Sequence, residues 1–240
     1  MFYTKKLPIL RVSVFLAAAF ISHAFASGVG INATRVVFIE GSQSAPVIIR
    51  NNNPDESYLV QSYLADNKKQ NNSIPFDVLP PIFRLLPDNR NEVRIVEKIN
   101  SLPKDRESVF YFHARAIPAN TKKNGLDVKE NNGVIKIALE SVIKVFYRPK
   151  NLPSSPQQAQ GNLRFEPVSG GLKVSNTSPY YISLAKLTVD KLSITLSIEK
   201  NNAMIAPFSE LFYATPVNKG NVSWTTINDL GGYDVHNQKI

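Results

Sequence analysis

No cysteine occurs anywhere in the 240-residue chain. Disulfide staples, thiolate metal sites and thiol catalysis are thereby excluded, so packing and hydrogen bonding must hold the fold alone. Histidine is scarce: His23, His113 and His236 are the only three, and none has a metal-ligand spacing such as H-E-x-x-H. The phosphate-cradling glycine loops and the G-x-S-x-G nucleophile elbow are missing too. The acidic residues are dispersed, with no pair that reads as a general acid and base. No enzymatic constellation remains, and neither a metal nor a cofactor is expected. The formal net charge is +9, yet no long Lys/Arg block and no basic-aromatic stripe is present, so nucleic acid is not an expected partner.

Long apolar runs are also lacking, with one exception. "VSVFLAAAFI" (Val12–Ile21) follows Lys5, Lys6 and Arg11 and precedes "AFA" (Ala24–Ala26). This has the layout of a secretory leader over residues 1–26, too short in its apolar part to span a bilayer. A membrane anchor or a buried first helix is the alternative. Loss of the leader's three positive charges lowers the net charge from +9 to +6. The remaining excess suits carboxylate-bearing partners without deciding the matter. Residues 27–240 are enough to bury real cores without staples.

What the remainder does contain is short alternating apolar runs separated by turn residues: "INATRVVFIE", "APVIIR", "YLVQSYLA", "EVRIVEK" and "SVFYFHARAI". These predict strands. "KNLPSSPQQAQGN" (Lys150–Asn162) is rich in Pro, Gln and Ser and marks a boundary. A second series follows: "LRFEPV", "GLKVS", "YYISLAKLTV", "LSITLSIE", "LFYATPV" and "VSWTTI". The chain is therefore expected to be all-β, with two β-sandwich domains over residues 27–148 and 149–240.

"GVIKIALESVIKVFYRP" (Gly133–Pro149) raises a specific question. From Ile135 to Tyr147 every second residue is apolar or small, and from Val142 to Phe146 the other face is apolar as well. Lys144 sits within that stretch, although lysine is rarely buried without a partner. Read from the residues alone, Lys144 snorkels or meets an internal acid, and Ile135, Ile137 and Leu139 form the core row of a half-buried strand.

"LPKDRESVFYFHARAIPA" (Leu102–Ala119) resembles the signature of the periplasmic pilus-assembly chaperones, and "IALESVIKVFYRP" resembles the strand that follows it. "INATRVVF", "LPPIFRL", "NTSPYYISL", "APFSE" and "INDLGG" fall in the same family's order, so the resemblance spans nearly the whole exported chain. It implies two immunoglobulin-like sandwiches set at an angle and joined by a short hinge. It implies a periplasmic chaperone that binds, folds and caps fimbrial (pilin) subunits by donor-strand complementation without ATP, and delivers them to an outer-membrane usher. A secreted immunoglobulin-like adhesin is the alternative. The chain departs from the family signature at His113 and Ala114, where Asn and an aliphatic residue are usual. Only eight residues follow "LGG", so the last strand reads as shortened.

The resemblance also implies residue roles. Arg35 and Lys144 correspond to a basic pair that holds a subunit's C-terminal carboxylate, which suits a guanidinium fork and an ammonium point charge. Ile135, Ile137 and Leu139 correspond to the strand lent to the subunit, a mode of strand addition of which chaperone–pilin pairing is an established case. Such a strand left bare invites self-dimerisation. Glu107, Arg148 and Asp229 correspond to an inter-domain ion network; three ordinary surface charges are the alternative. The polar connection from Ala119 to Gly133 resembles that of the short-loop members.

Overall fold

The computed structural model describes residues 28–66, 74–98, 101–119 and 137–240. The expected leader, most of the Ala119–Gly133 connection and Ile135 lie outside the described residues.

Among the described residues the first half contains nine strands: β1 (Val29–Ile31), β2 (Arg35–Ile39), β3 (Ala45–Asn51), β4 (Tyr58–Ala65), β5 (Phe76–Leu79), β6 (Ile82–Leu85), β7 (Arg90–Glu97), β8 (Ser108–Pro118) and β9 (Leu139–Arg148). They form two facing sheets, ordered β1-β3-β7-β5 and β2-β9-β8-β4-β6. The alternation read from the sequence decides which side faces inward. In β3, Ala45, Val47, Ile49 and Asn51 are buried and the residues between them face out or are half-buried. Phe38, Phe76, Phe110 and Tyr147 fill the space between the sheets, with Phe76 edge-on to Phe38 at 5.1 Å and to Phe110 at 5.3 Å. Such edge-to-face pairs are favoured by the ring quadrupole. Ala114 faces this core.

The second half opens on a short helix, α1 (Pro156–Gly161), and continues through β10 (Arg164–Val168), β11 (Gly171–Asn176), β12 (Ile182–Val189), β13 (Leu192–Ser193), β14 (Met204–Ile205), β15 (Ser209–Ala214), β16 (Asn221–Ile227) and β17 (Tyr233–Lys239). Its sheets are β10-β11-β15 and β13-β12-β16-β17, with β14 paired to β12. The helix lies within the segment read as a boundary. Ser155 caps it, its side chain accepting from the Gln158 N–H while the Gln158 side chain accepts from the Ser155 N–H. Pro156 suits the first turn, where no N–H is needed. The Trp224 indole donates to the Gln160 carbonyl at 2.9 Å, which seats the helix on the core.

Two expectations change. "LSITLSIE" is strand only at Leu192–Ser193. Beyond it the Asn202 amide satisfies the chain in place of a neighbouring strand, accepting from the Ser197 N–H at 2.8 Å and donating to the Thr195 carbonyl at 3.0 Å. The last strand, read as shortened, pairs along all of β16, from Ile227↔Tyr233 to Asn221↔Lys239.

Candidate functional site: the cleft between the sandwiches

The site begins with one strand register. β2 and β9 lie far apart in sequence, pair parallel, and place Arg35 directly opposite Lys144. Neighbouring residues in register present their side chains on the same face, so both cations point out of the first sandwich and toward the second. The Arg35 guanidinium lies 5.6 Å from the centre of the Phe146 ring and donates from Nη1 to the Ile227 carbonyl at 2.7 Å. Its Nε is buried without a hydrogen-bond partner among the described residues. Burial pushes the Arg35 pKa down, while the negative charges of Asp229 and Glu107 oppose that shift. From the other side, Lys144 reaches Ser183 of β12, with Nζ 3.5 Å from Oγ.

The same register leaves an edge open. β2 starts at Arg35, so its pairing with β9 covers only Lys144–Arg148. Toward Leu139, β9 pairs with β8 on one side, and no described strand pairs with it on the other. Tyr147, Val145, Ile143 and Leu139 share one face of β9. Tyr147 and Val145 are fully buried, Ile143 is half-buried, Leu139 is 54 % exposed and Ile137 is 67 % exposed. The row is thus core at one end and bare at the other. The core expectation fails for Ile137 and Leu139, which lie where no described strand flanks the chain on the β2 side; Ile135 lies outside the described residues.

Glu107, Arg148 and Asp229 meet across the two sandwiches. Arg148 donates from Nε to Glu107 at 2.7 Å, and from Nη1 and Nη2 to both Asp229 oxygens at 2.7 and 2.9 Å. The Glu107 residue is only 3 % exposed, and its second oxygen accepts from the Tyr181 N–H at 2.8 Å. Burial pushes the Glu107 carboxyl up from its ordinary value, with Arg148 and the Tyr181 N–H pulling it back. The carboxylates in turn raise the Arg148 pKa despite burial, and the guanidinium also lies 5.2 Å from the centre of the Tyr180 ring. Asp229 reaches this point on the β16–β17 hairpin, which comes close to the start of β2. Gly231 has φ +83° there, and a Cβ on it would lie 2.5 Å from Thr34 Oγ1. Glycine is therefore needed for both the turn and the approach.

One group on this face had only a weak signal in the sequence. His113, at the position where the signature departs from the family pattern, is 2 % exposed, with neither ring nitrogen hydrogen-bonded among the described residues. The Tyr63 ring stacks on it at 4.7 Å and 7°. The Tyr63 hydroxyl donates to Glu140 at 2.8 Å, and Glu140 also meets Arg115 at 3.3 Å and lies 3.5 Å from His113 Nδ1. Among the described residues, no three His, Asp or Glu side chains converge as metal ligands would. The cleft therefore offers cations, apolar surface and a strand edge that no described strand pairs, which together suit an extended chain ending in a carboxylate.

The sequence and the fold both resemble known proteins. Residues 28–153 match the family described as "Pili and flagellar-assembly chaperone, PapD N-terminal domain", and residues 158–238 match "Pili assembly chaperone PapD, C-terminal domain". The chain is 38% identical over 208 residues to the probable fimbrial chaperone protein ElfD of Escherichia coli O157:H7, covering 85% of this chain and 83% of that protein. It is 33% identical over 220 residues to the E. coli chaperone protein FocC, covering 90% and 91% of the two chains. Among solved structures, the Salmonella enterica SafA pilin in complex with the SafB chaperone gives a TM-score of 0.75 at 28% identity, over 90% of this chain and 98% of the matched one. The E. coli chaperone DraB gives 0.74 at 30% identity, over 89% and 98%.

Proposed function

The chain belongs to the family of pilus-assembly chaperones, and from that premise we propose that its cleft captures fimbrial subunits by lending them β9. Membership displaces the adhesin alternative. An unfinished subunit sandwich adds a strand to the open edge at Leu139–Ile143, and backbone hydrogen bonds supply affinity that tolerates sequence variation. The bare apolar row of Ile137 and Leu139, with Ile135 continuing the alternation, fills the groove that the subunit's missing strand leaves. Arg35 and Lys144 receive the subunit's C-terminal carboxylate, and that contact sets the register of the row against the groove. The residues read as 27–148 and 149–240 act as two domains, with Arg148 holding them at a fixed angle through Glu107 and Asp229. The protein works in the periplasm, reached through a cleaved leader, passes its subunits to an outer-membrane usher, and performs no catalysis.

The observation that carries this reading is the end of the β2–β9 ladder at Arg35↔Lys144. It puts the two cations at the last paired rung, next to the point where β9 becomes free to pair with another chain. Lys144→Ala and Arg35→Ala should each reduce capture of a co-expressed fimbrial subunit by about 10- to 150-fold, the worth of one charge-assisted hydrogen bond. Periplasmic pull-down measures capture, and circular dichroism melting checks the fold. Undiminished capture by both variants, or loss of fold in both, removes the carboxylate-anchor assignment.

A further inference from the structure

Beside Lys144 the cleft widens into a cavity of about 390 Å³. Tyr111, Val142 and the Lys144 stem form one wall, and Ile198, Ala203 and Met204 of the second sandwich form the other. Val142 is 43 % exposed and Ile198 62 % exposed, so apolar side chains face each other across open space with a cation at one end. The second wall is built in advance. Ile198 belongs to the irregular stretch that replaces the expected strand and Met204 to β14; between them the chain is held by the Asn202 amide, by the Tyr213 hydroxyl donating to the Asn202 carbonyl at 2.7 Å, and by Asn201 in a left-handed turn with φ 50°.

We infer that this cavity receives the side chain of the subunit's C-terminal residue and selects a bulky apolar or aromatic one. The inference rests on the carboxylate anchor proposed above and adds a specificity pocket to it. A residue whose carboxylate meets the Lys144 ammonium has its side chain only a few bonds away. Three surroundings are within that reach: solvent, the paired edge of β9, and this cavity. The pairing edge takes backbone. The cavity offers mainly apolar walls, interrupted by Ser197 and Asn201, next to the Lys144 ammonium, which is the complement of an apolar residue with a free carboxylate. Preorganisation of the Asn202-held wall lowers the ordering cost of binding. Full burial of a Phe or Leu side chain corresponds to about 10- to 100-fold in affinity over Ala.

The test uses the full exported chain and labelled 12-residue peptides of alternating apolar sequence, identical except at the last residue, read by fluorescence anisotropy. Peptides ending in Phe or Leu with a free carboxylate should bind about 10-fold or more tighter than the peptide ending in Ala. Ile198→Ser, at an exposed position of the second sandwich, should erase that preference while leaving the Ala-ending peptide's affinity unchanged. Lys144→Ala should weaken every free-carboxylate peptide alike. If the amide-capped Phe peptide binds much more weakly than the free acid but Phe and Ala endings bind equally, the pocket is wrong and the anchor stands. If capping the carboxylate makes no difference, or no peptide binds, both are wrong. A Phe preference that survives Ile198→Ser places the selectivity elsewhere and overturns the pocket.

Discussion

Replacing Arg148 by alanine tests the junction between the sandwiches, and its magnitude follows from the burial of one carboxylate. Without the guanidinium, Glu107 keeps only the Tyr181 N–H bond in a site that is 3 % exposed. The side chain of Asp229 is 32% exposed and regains water at little cost. A buried, unpaired Glu107 relieves itself by taking a proton. From a reference pKa of 4.5, neutralisation at pH 7 costs about 3.4 kcal/mol, at about 1.36 kcal/mol per pH unit. This caps the charge penalty. Loss of the contact over Tyr180 adds about 0.5–1 kcal/mol, so the total is about 4 kcal/mol, within the roughly 3–5 kcal/mol found when one partner of a buried pair is removed. At pH 5 the protonation cost falls to about 0.7 kcal/mol, and the total to about 1.5 kcal/mol. The sign is consistent. In the variant the folded-state pKa of Glu107 rises further above its unfolded value, so the folded state gains relative stability as pH falls. Urea unfolding at both pH values measures this, with Trp224, the only tryptophan, reporting the second sandwich and far-UV circular dichroism reporting both. A loss below about 1 kcal/mol at pH 7, typical of an exposed pair, or the same loss at pH 5, would refute the buried-charge argument.

Leu139→Glu should fold and melt as the parent does, because the site is 54 % exposed, yet lose subunit capture, since a carboxylate would enter an apolar groove. Sizing chromatography should also show less self-association, whereas an unfolded variant would mean that the row is covered in the free protein. His113 carries a pH dependence. Burial pushes its pKa below the reference of 6.5, opposed by Glu140, with Tyr63, Arg115 and Lys144 the other titratable groups presented by β4, β8 and β9. Above pH 6.5 the ring is neutral in both states. Below it the unfolded chain takes up the proton first, and stability is lost as pH falls toward the folded-state value. Urea midpoints between pH 7.5 and pH 5 should therefore fall more steeply for the parent than for His113→Asn; parallel slopes would exclude the histidine as a source.

The β architecture was legible because period-2 alternation is a local property, and most strands bury one face against one core. β3 and β8 need no knowledge of their partners to be recognised. "LSITLSIE" misled for the converse reason. It alternates as a strand does, but at the sheet edge its backbone is satisfied by the Asn202 side chain, and nothing in the alternation distinguishes a ladder from an amide. The capped helix at Pro156 was missed because six residues are too few to show a 3.6-residue period, although the Ser155–Gln158 box was present to be read.

The cleft was legible only through resemblance, and the reason lies in what a strand pattern omits. Ile137 and Leu139 continue the same alternation as Val145 and Tyr147, so the residues alone assign all four to a core. The bare half differs in what lies beside it. β2 begins at Arg35, just after Asn32 donates its N–H to the Ile48 carbonyl at 2.9 Å on the opposite sheet. Where the chain crosses from one sheet to the other determines how much of β9 is left unpaired by β2, and that crossing is a long-range event. The same start point determines the height of Arg35 and, through the parallel register, the rung shared with Lys144. One chain crossing thus sets the length of the open edge and the position of the charge pair at its end. A shift of β2 by two residues along β9 would preserve every buried alternation in that sheet, yet it would separate the cations and shorten or lengthen the edge. The alternation alone tolerates such a shift, whereas a site that measures register from a fixed carboxylate does not.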